Sequence, residues 1–383
     1  MPVTDTKLST APQITWNEAG ADRTARWQSE SGHAAPKRVI IADDKLTADS
    51  AFRLASEGTA LLWRGDYQNA RQLLQALARR IERKPRKAPT TPIDAFNFHR
   101  QAQSQRARTL GMVLLEVDAD YGIALRRAPD IKLACNEAYG ASTGPFVVSL
   151  REVLGLIGAH EWRKNGVEIA ALGARIHPYY GVFSPVRGEY LNLIAEAPLP
   201  SKKLAFDIGT GTGVIAALLA QRGVEKVIAT DQDARALACA KENLSRLDLR
   251  DRVQVLEADL FPAGTAPLIV CNPPWIPARP SSAIEYAIYD PDSRMLRGFL
   301  NGLAAHLEAK GEGWLILSDL AEHLGLRTRE ELLQMIEAAG LKVIDRIDTK
   351  PVHPRAADAS DPLHHARSVS YTHLRAHETP EHL

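Results

Sequence analysis

Leu204-Ala-Phe-Asp-Ile-Gly-Thr-Gly-Thr-Gly-Val-Ile-Ala-Ala-Leu-Leu-Ala-Gln221 is the stretch that decides how the rest of this chain is read. Its first five residues form a short, mostly apolar run suited to a buried strand, and its last eight form an apolar helical run. Between them, Gly209, Gly211 and Gly213 allow a tight turn and bring the backbone against a ligand, because no Cβ stands in the way. The helix that opens at Gly213 presents N–H groups suited to a carboxylate or phosphate. The spacing is G-x-G-x-G, not the G-x-G-x-x-G of the dinucleotide fingerprint, and no Lys-Ser/Thr pair follows as in a P-loop. A nicotinamide dehydrogenase is therefore the poorer reading.

Outward from this turn the punctuation is regular. Strands are predicted over 226–230, 253–258, 267–271, 313–318 and 342–348, with helices over 234–247, 295–309 and 329–339. Strands alternating with helices at this spacing imply βαβ units and a parallel, doubly wound α/β sheet, with the loops after the strands on one ligand-binding edge. Asp231 falls at the end of the second strand, eighteen residues past Gly213, where a carboxylate can accept from both hydroxyls of a ribose. Asp233 suits the N-cap of the following helix. At the end of the third strand, Asp259 could accept from an adenine amino group, with the Leu260 N–H reaching a ring nitrogen. Each acid alone reads as a cap or turn residue; three at successive strand ends point to a site.

The fourth strand ends in Asn272-Pro273-Pro274-Trp275. Two prolines fix a rigid, extended loop with exposed carbonyls. The Asn272 side-chain oxygen and the Pro273 carbonyl can then accept both hydrogens of one –NH2 group, freeing the nitrogen lone pair, while Trp275 offers a flat face for a base or amide plane.

The region from about Tyr179 to Lys350 resembles the methyltransferase small domain group of class I methyltransferases, which includes ribosomal-RNA N-methyltransferases and release-factor glutamine methyltransferases. The resemblance implies a Rossmann-like fold and binding of S-adenosylmethionine by the turn that holds Asp207, Gly209, Thr210, Gly211 and Gly213, with Asp231, Asp259 and Leu260. It implies that Asn272 holds the target nitrogen. Phe183-Ser-Pro-Val-Arg-Gly-Glu-Tyr190 is similar to the segment that closes over the cofactor in these families, which adds Arg187 and Glu189 as candidates. Trp275 stands where Tyr or Phe is usual. The family fold normally ends in an antiparallel seventh strand.

Upstream, residues 1–36 are read as a loose lead and 37–165 as an α+β accessory domain for substrate recognition, followed by the methyltransferase domain over 166–368. In the accessory part an amphipathic helix is predicted after Tyr67, and the prolines between Lys84 and Pro92 mark a connector. A second helix follows with Phe96 and Phe98 near its start, then a strand over 111–117 and a helix over 147–163. From Arg71 to Leu110 ten basic residues face only Glu82 and Asp94, a pattern compatible with RNA-backbone contact and equally with a solvated helix face. The acceptor expected from this pattern is an RNA or ribosomal base, with a protein glutamine as the alternative and a non-catalytic RNA-binding module as a third reading. Asn272-Pro-Pro-Trp does not separate the first two, since both present a planar –NH2.

The net charge of +1 over 383 residues makes any nucleic-acid affinity a local matter. Cys135, Cys239 and Cys271 have no metal or redox spacing, no residue pattern implies a metal, and no apolar run approaches the roughly 18 residues of a membrane span. A cytoplasmic protein is expected. Finally, Val369 to Thr379 is similar, residue for residue, to one reading frame of a widely used transposase sequencing adapter, so residues 369–383 are expected to be foreign to the natural protein. The seventh strand would then be missing or imitated by adapter residues.

Overall fold

The computed structural model describes residues 11–83, 88–185, 188–280, 285, 287–349 and 371–378. They fall into two compact units, one of residues 1–87 with 100–160 and the other of 88–99 with 161–383.

The first unit is an open sheet flanked by helices. In chain order it contains β1 (Gln13–Glu18), β2 (Ala21–Trp27), β3 (Arg38–Ala42), α1 (Ala48–Ser56), β4 (Thr59–Trp63), α2 (Tyr67–Glu82), most of α3 (Pro92–Leu110), β5 (Val113–Val117), α4 (Lys132–Tyr139), β6 (Phe146–Ser149) and most of α5 (Leu150–Asn165). The strand order is β1-β2-β6-β5-β4-β3, with β3, β4 and β5 parallel. The amphipathic helix expected after Tyr67 is α2, capped by the Asp66 carboxylate on the Gln68 N–H.

Three expectations are corrected here. The lead of residues 1–36 contains a hairpin, β1 paired antiparallel with β2 through a two-residue turn at Ala19 and Gly20, both with positive φ. Ile14 and Trp16 alternate with polar residues and are buried, a period-2 signal too short to stand out beside a mostly exposed partner strand. The helix expected from Val147 begins only at Leu150, because Phe-Val-Val is a β-branched and aromatic run that completes the sheet, and the Ser149 hydroxyl accepts from the Glu152 N–H at the switch. Residues 88–99, read as accessory, belong to the second unit, where Phe96 is buried against Ile276 and Leu324.

The second unit adds a short hairpin, β7 (Val167–Ile169) with β8 (Ala174–Ile176), then α6 (Glu189–Glu196), β9 (Leu204–Ile208), α7 (Val214–Gln221), β10 (Lys226–Asp231), α8 (Ala234–Arg246), β11 (Val253–Glu257), β12 (Ala266–Cys271), α9 (Arg294–His306), β13 (Leu307–Ser318), α10 (Leu320–His323), α11 (Arg329–Ala338), β14 (Leu341–Thr349) and β15 (Tyr371–Glu378). The order is β11-β10-β9-β12-β13-β15-β14. The first five strands are parallel and β15 runs antiparallel to both neighbours. Strand order reverses between β9 and β12, so the crevice at their carboxyl ends is the topological switch point where such sheets bind ligands. Core residues on both faces, among them Leu218, Phe206, Phe299 and Trp314, fix β9 and β12 in the middle of the sheet.

Residues 371–378 occupy the seventh-strand position, with Leu374 and Ala376 buried. Alternating small apolar residues are all that position asks of a strand whose backbone pairs on both sides. Among the described residues no helix is long and apolar enough to cross a membrane, no group of His, Cys, Asp and Glu could hold a metal ion, and the three cysteines are free and buried.

Candidate cofactor cradle and acceptor loop

Parallel pairing brings the carboxyl ends of β9, β10, β11 and β12 to one edge, with Asp207 beside Ala229 and Val270, and Asp231 beside Glu257. Asp207 is fully buried. Its Oδ2 accepts from the Thr210 hydroxyl at 2.6 Å and from the Ala216 N–H at 3.0 Å, which ties the strand to the turn and to the first turn of α7. Its Oδ1 is buried with no hydrogen-bond partner. Burial, only partly opposed by those two bonds, pushes the Asp207 carboxyl up to about 7.

The glycine turn has the tight backbone that the spacing predicts. Gly209, Gly211 and Gly213 all have positive φ, at 72°, 54° and 82°. The Gly209 and Thr210 N–H groups donate to the Thr230 carbonyl at 2.9 and 2.8 Å, and the Gly211 N–H donates to Asp231 Oδ2 at 3.0 Å. Asp231 thus clamps the turn from the neighbouring strand, and its Oδ1 accepts from the Asp233 N–H. Each oxygen keeps a further lone pair for a ligand hydroxyl. Burial raises the Asp231 carboxyl as well. Asp233 is the N-cap of α8, accepting from Arg235 and Ala236 N–H. A Cβ added at Gly211 would meet open space, whereas one at Gly213 would press on Ala240 in the next helix. The turn is thus closed at Gly209, by Met295, and at Gly213, and open at Gly211.

Asp259 is exposed and forms a 3.3 Å ion pair with Arg294 at the start of α9. Leu260 follows in a left-handed conformation at φ 75°, its carbonyl accepting from the Thr230 hydroxyl. Glu189 is buried at the first position of α6. Arg187, its companion in the expected closing segment, lies outside the described residues.

On the acceptor side, Asn272 is half-buried directly after β12 and Pro273 is buried. The Trp275 indole N–H donates to Asn272 Oδ1 at 2.9 Å, and the ring meets Tyr190 edge-on at 6.5 Å between centroids. The polar edge of Trp275, which the sequence does not single out, orients the Asn272 carboxamide through this bond and leaves one lone pair of Oδ1 for a ligand. Behind the loop, the Ile276 carbonyl accepts from the Asp290 N–H, and Asp290 uses both carboxylate oxygens on the Met295 and Leu296 N–H groups. Tyr190 and Asp290 went unmarked in the sequence. Asp290 had a signal, an acid ahead of a helix, but the intervening Pro-Asp-Ser hid the capping distance.

Residues 176–337 match the family model of the methyltransferase small domain. The chain is 30% identical over 157 residues to a release factor glutamine methyltransferase from Caulobacter vibrioides, covering 39% of this chain and 54% of that one. It is 39% identical over 82 residues to a tRNA1(Val) (adenine(37)-N6)-methyltransferase from Tolumonas auensis, covering 20% and 35%. To the protein of that name from Shewanella amazonensis it is 26% identical over 185 residues, covering 46% and 76%. The chain spans little more than half the length of the glutamine-methyltransferase relative. With this strand order, a glycine turn after the central strand and Asn-Pro-Pro-Trp after its neighbour, the second unit has the Rossmann-like fold of class I methyltransferases, and its residues 176–337 carry the match to the methyltransferase small domain.

Proposed function

We propose that the second unit transfers a methyl group from S-adenosylmethionine to a planar –NH2 nitrogen of a macromolecule. The observation that carries this reading is the Asn272 carboxamide, oriented by the Trp275 N–H at the end of β12, on the same sheet edge as the cradle built from Asp207 and Asp231. The cradle fits the cofactor. Asp207 Oδ1 is a buried acceptor without a donor, and the crevice side of Gly211 is open. Asp207, Gly209, Thr210, Gly211 and Gly213 would hold its amino-acid end, Asp231 its ribose, and Asp259 with Leu260 its base; Glu189, and Arg187 beside it, would close over it. Bound there, the cofactor supplies an electrophilic methyl carbon on a sulfonium.

The acceptor side follows from the chain's own groups. The free lone pair of Asn272 Oδ1 and the Pro273 carbonyl accept the two hydrogens of the amino group, which draws the nitrogen lone pair out of conjugation. As that nitrogen becomes cationic both bonds strengthen, and preorganised contacts of this type contribute about 3 kcal/mol each. No dedicated base is needed, because the methylated nitrogen sheds its proton to water afterwards.

For the acceptor, the side-chain amide of a protein glutamine is the first to test, supported by relatives named for that activity. An RNA base is the second reading. It is supported by relatives named for methylation of a tRNA adenine and by the basic stretch from Arg71 to Leu110, within which Arg80 is engaged by Asp49 and Arg106 by Glu82. The experiment is incubation with tritiated S-adenosylmethionine and separated protein and RNA pools from a strain lacking the enzyme. Label in protein is expected; label in RNA alone selects the base. No label in either pool, together with no cofactor binding, overturns the reading.

A further inference from the structure

The second unit holds another cleft, about 790 Å³ in volume. Pro277 contributes from the loop that follows Trp275, Ser293 and Arg297 from the start of α9, Arg327 from the turn before α11, and Glu331 and Gln334 from α11 itself. Arg327 is only 6% exposed, its Nε is buried without an acceptor, and its side chain makes no hydrogen bond or ion pair among the described residues. Nearby carboxylates are committed elsewhere. Asp290 spends both oxygens on backbone N–H groups of α9, Glu331 caps α11 through the Thr328 N–H, and Glu322 is paired with Arg329. Asp290, Glu322 and Glu331 offset the Arg327 charge only from beyond hydrogen-bonding distance, its buried Nε–H keeps no acceptor, and the side chain sits on the wall of an open cleft.

The chemistry of the missing partner can be read from the lining. A planar guanidinium fork matches an oxyanion, above all a carboxylate taken in bidentate fashion. Asp292 and Glu331 offset Arg297 and Arg327 in the same walls, so the cleft has no net positive charge to hold the repeated phosphates of a nucleic acid strand. Leu326, Met335 and Ala338 give the cleft an apolar side suited to the stem of a protein segment. Leu326 also packs in the cluster that contains Ile276 and Trp275, so the cleft borders the loop that would hold the target nitrogen.

We infer that this cleft docks a protein segment of the methyl acceptor, and that Arg327 receives the carboxylate of an Asp or Glu side chain in that segment. The word acceptor rests on the N-methyltransferase reading; the cleft and its unpartnered cation do not. The test uses the full chain and short fluorescein-labelled peptides, each with one Gln and one nearby Glu, beside twins in which that Glu is replaced by Gln. A mixed-sequence single-stranded RNA of similar length is the third probe.

Anisotropy titrations are expected to show the Glu peptides binding about tenfold tighter than their twins, the scale of a hydrogen bond to a charged group. In Arg327→Met the preference disappears, and in Arg327→Lys it shrinks, because charge remains without the fork. Arg327→Met is expected to melt no lower than the wild type, since it removes a desolvated cation whose buried Nε–H has no acceptor. Equal binding of the twins by the wild type overturns the inference. So does RNA binding that depends on Arg327 while the peptides are indifferent, and so does a lower melting temperature of Arg327→Met with the peptide preference intact. Should Arg327→Met fail to fold, the wild-type twins and Arg327→Lys still decide. Peptide preference without methyl transfer to any pool would refute the N-methyltransferase reading and leave the cleft standing.

Discussion

Both units are open sheets whose parallel strands end in acids, yet only the second carries the proposed cradle. In the first unit Asp44 follows β3, Asp66 follows β4 and Asp118 follows β5; in the second, Asp207 lies on β9, Asp231 ends β10 and Asp259 follows β11. The first set is consumed locally. Asp44 accepts from the Asp66 N–H and the Asn69 amide, and Asp118 from the Asp120 and Gly122 N–H groups. Asp66 caps α2 and takes the Arg126 and Arg127 Nε groups, each at 2.8 Å. The Arg127 guanidinium, joined by Arg126, holds the Asp66 carboxyl well below the usual range, while burial pushes Asp207 up to about 7. The turns differ too. A Cβ at Gly65, after β4, would collide with the Asp44 carboxylate, whereas one at Gly211 would enter open space. Acids at successive strand ends therefore do not mark a site. What sets the proposed cradle apart is an unspent acceptor beside an open turn.

The largest expected break in this contrast is on the acceptor side. Asn272→Ala should lower turnover by roughly 10²–10³-fold with cofactor affinity nearly unchanged, as single-turnover rates and equilibrium binding would show together; equal loss of both would remove Asn272 from the acceptor role.

Asp207 gives the next test. Its unfolded-state pKa is near 3.8 and its folded value about 7, so between these the unfolded chain has released a proton that the folded chain keeps. Stability of the cofactor-free protein should fall as pH rises through that window and level off above it, in urea melts at stepped pH. Asp207→Asn should flatten this slope. Affinity for the cationic amino group of the cofactor should rise through pH 7 in the wild type alone.

Trp275→Phe keeps the ring and removes the N–H that orients Asn272, so kcat should drop about tenfold with KM little changed. In an Asn272→Ala background the same change should add nothing, which a purely packing role for the ring would not reproduce.

The smallest effect belongs to the first unit. Asp66→Asn should leave cofactor binding untouched and weaken the fold mildly at neutral pH. The stability that Asp66 provides is present above the usual carboxylate pKa and is lost as pH falls, so variant and wild type should converge in acid melts.

Much of the second unit is legible in one sequence because its signals are local. The strand of Leu204–Ile208, the glycine turn and the Asp233 cap each depend on neighbours within a few residues. In the first unit the same kind of reading misplaced two elements. Ile14 and Trp16 alternate too briefly to announce a strand, and Phe146–Ser149 runs into α5 without a breaker. Local pattern places Phe96 with the accessory helix, whereas its burial partners Ile276 and Leu324 lie far along the chain.

By itself, then, the sequence did not announce β7, β8, α6 or α10, but it determined the main alternation of strands and helices from Leu204 to Asp348, the open backbone of the glycine turn and the residue types of the Asn-Pro-Pro-Trp loop. These follow from periodicity and from backbone sterics, which act over a few residues. Tertiary structure alone decided which polar groups remain unspent: Asp207 keeps a free oxygen, Asp66 does not, and Arg327 is buried without an acceptor. Satisfaction of a buried polar atom depends on donors and acceptors delivered by distant segments, and no local pattern records whether they arrive.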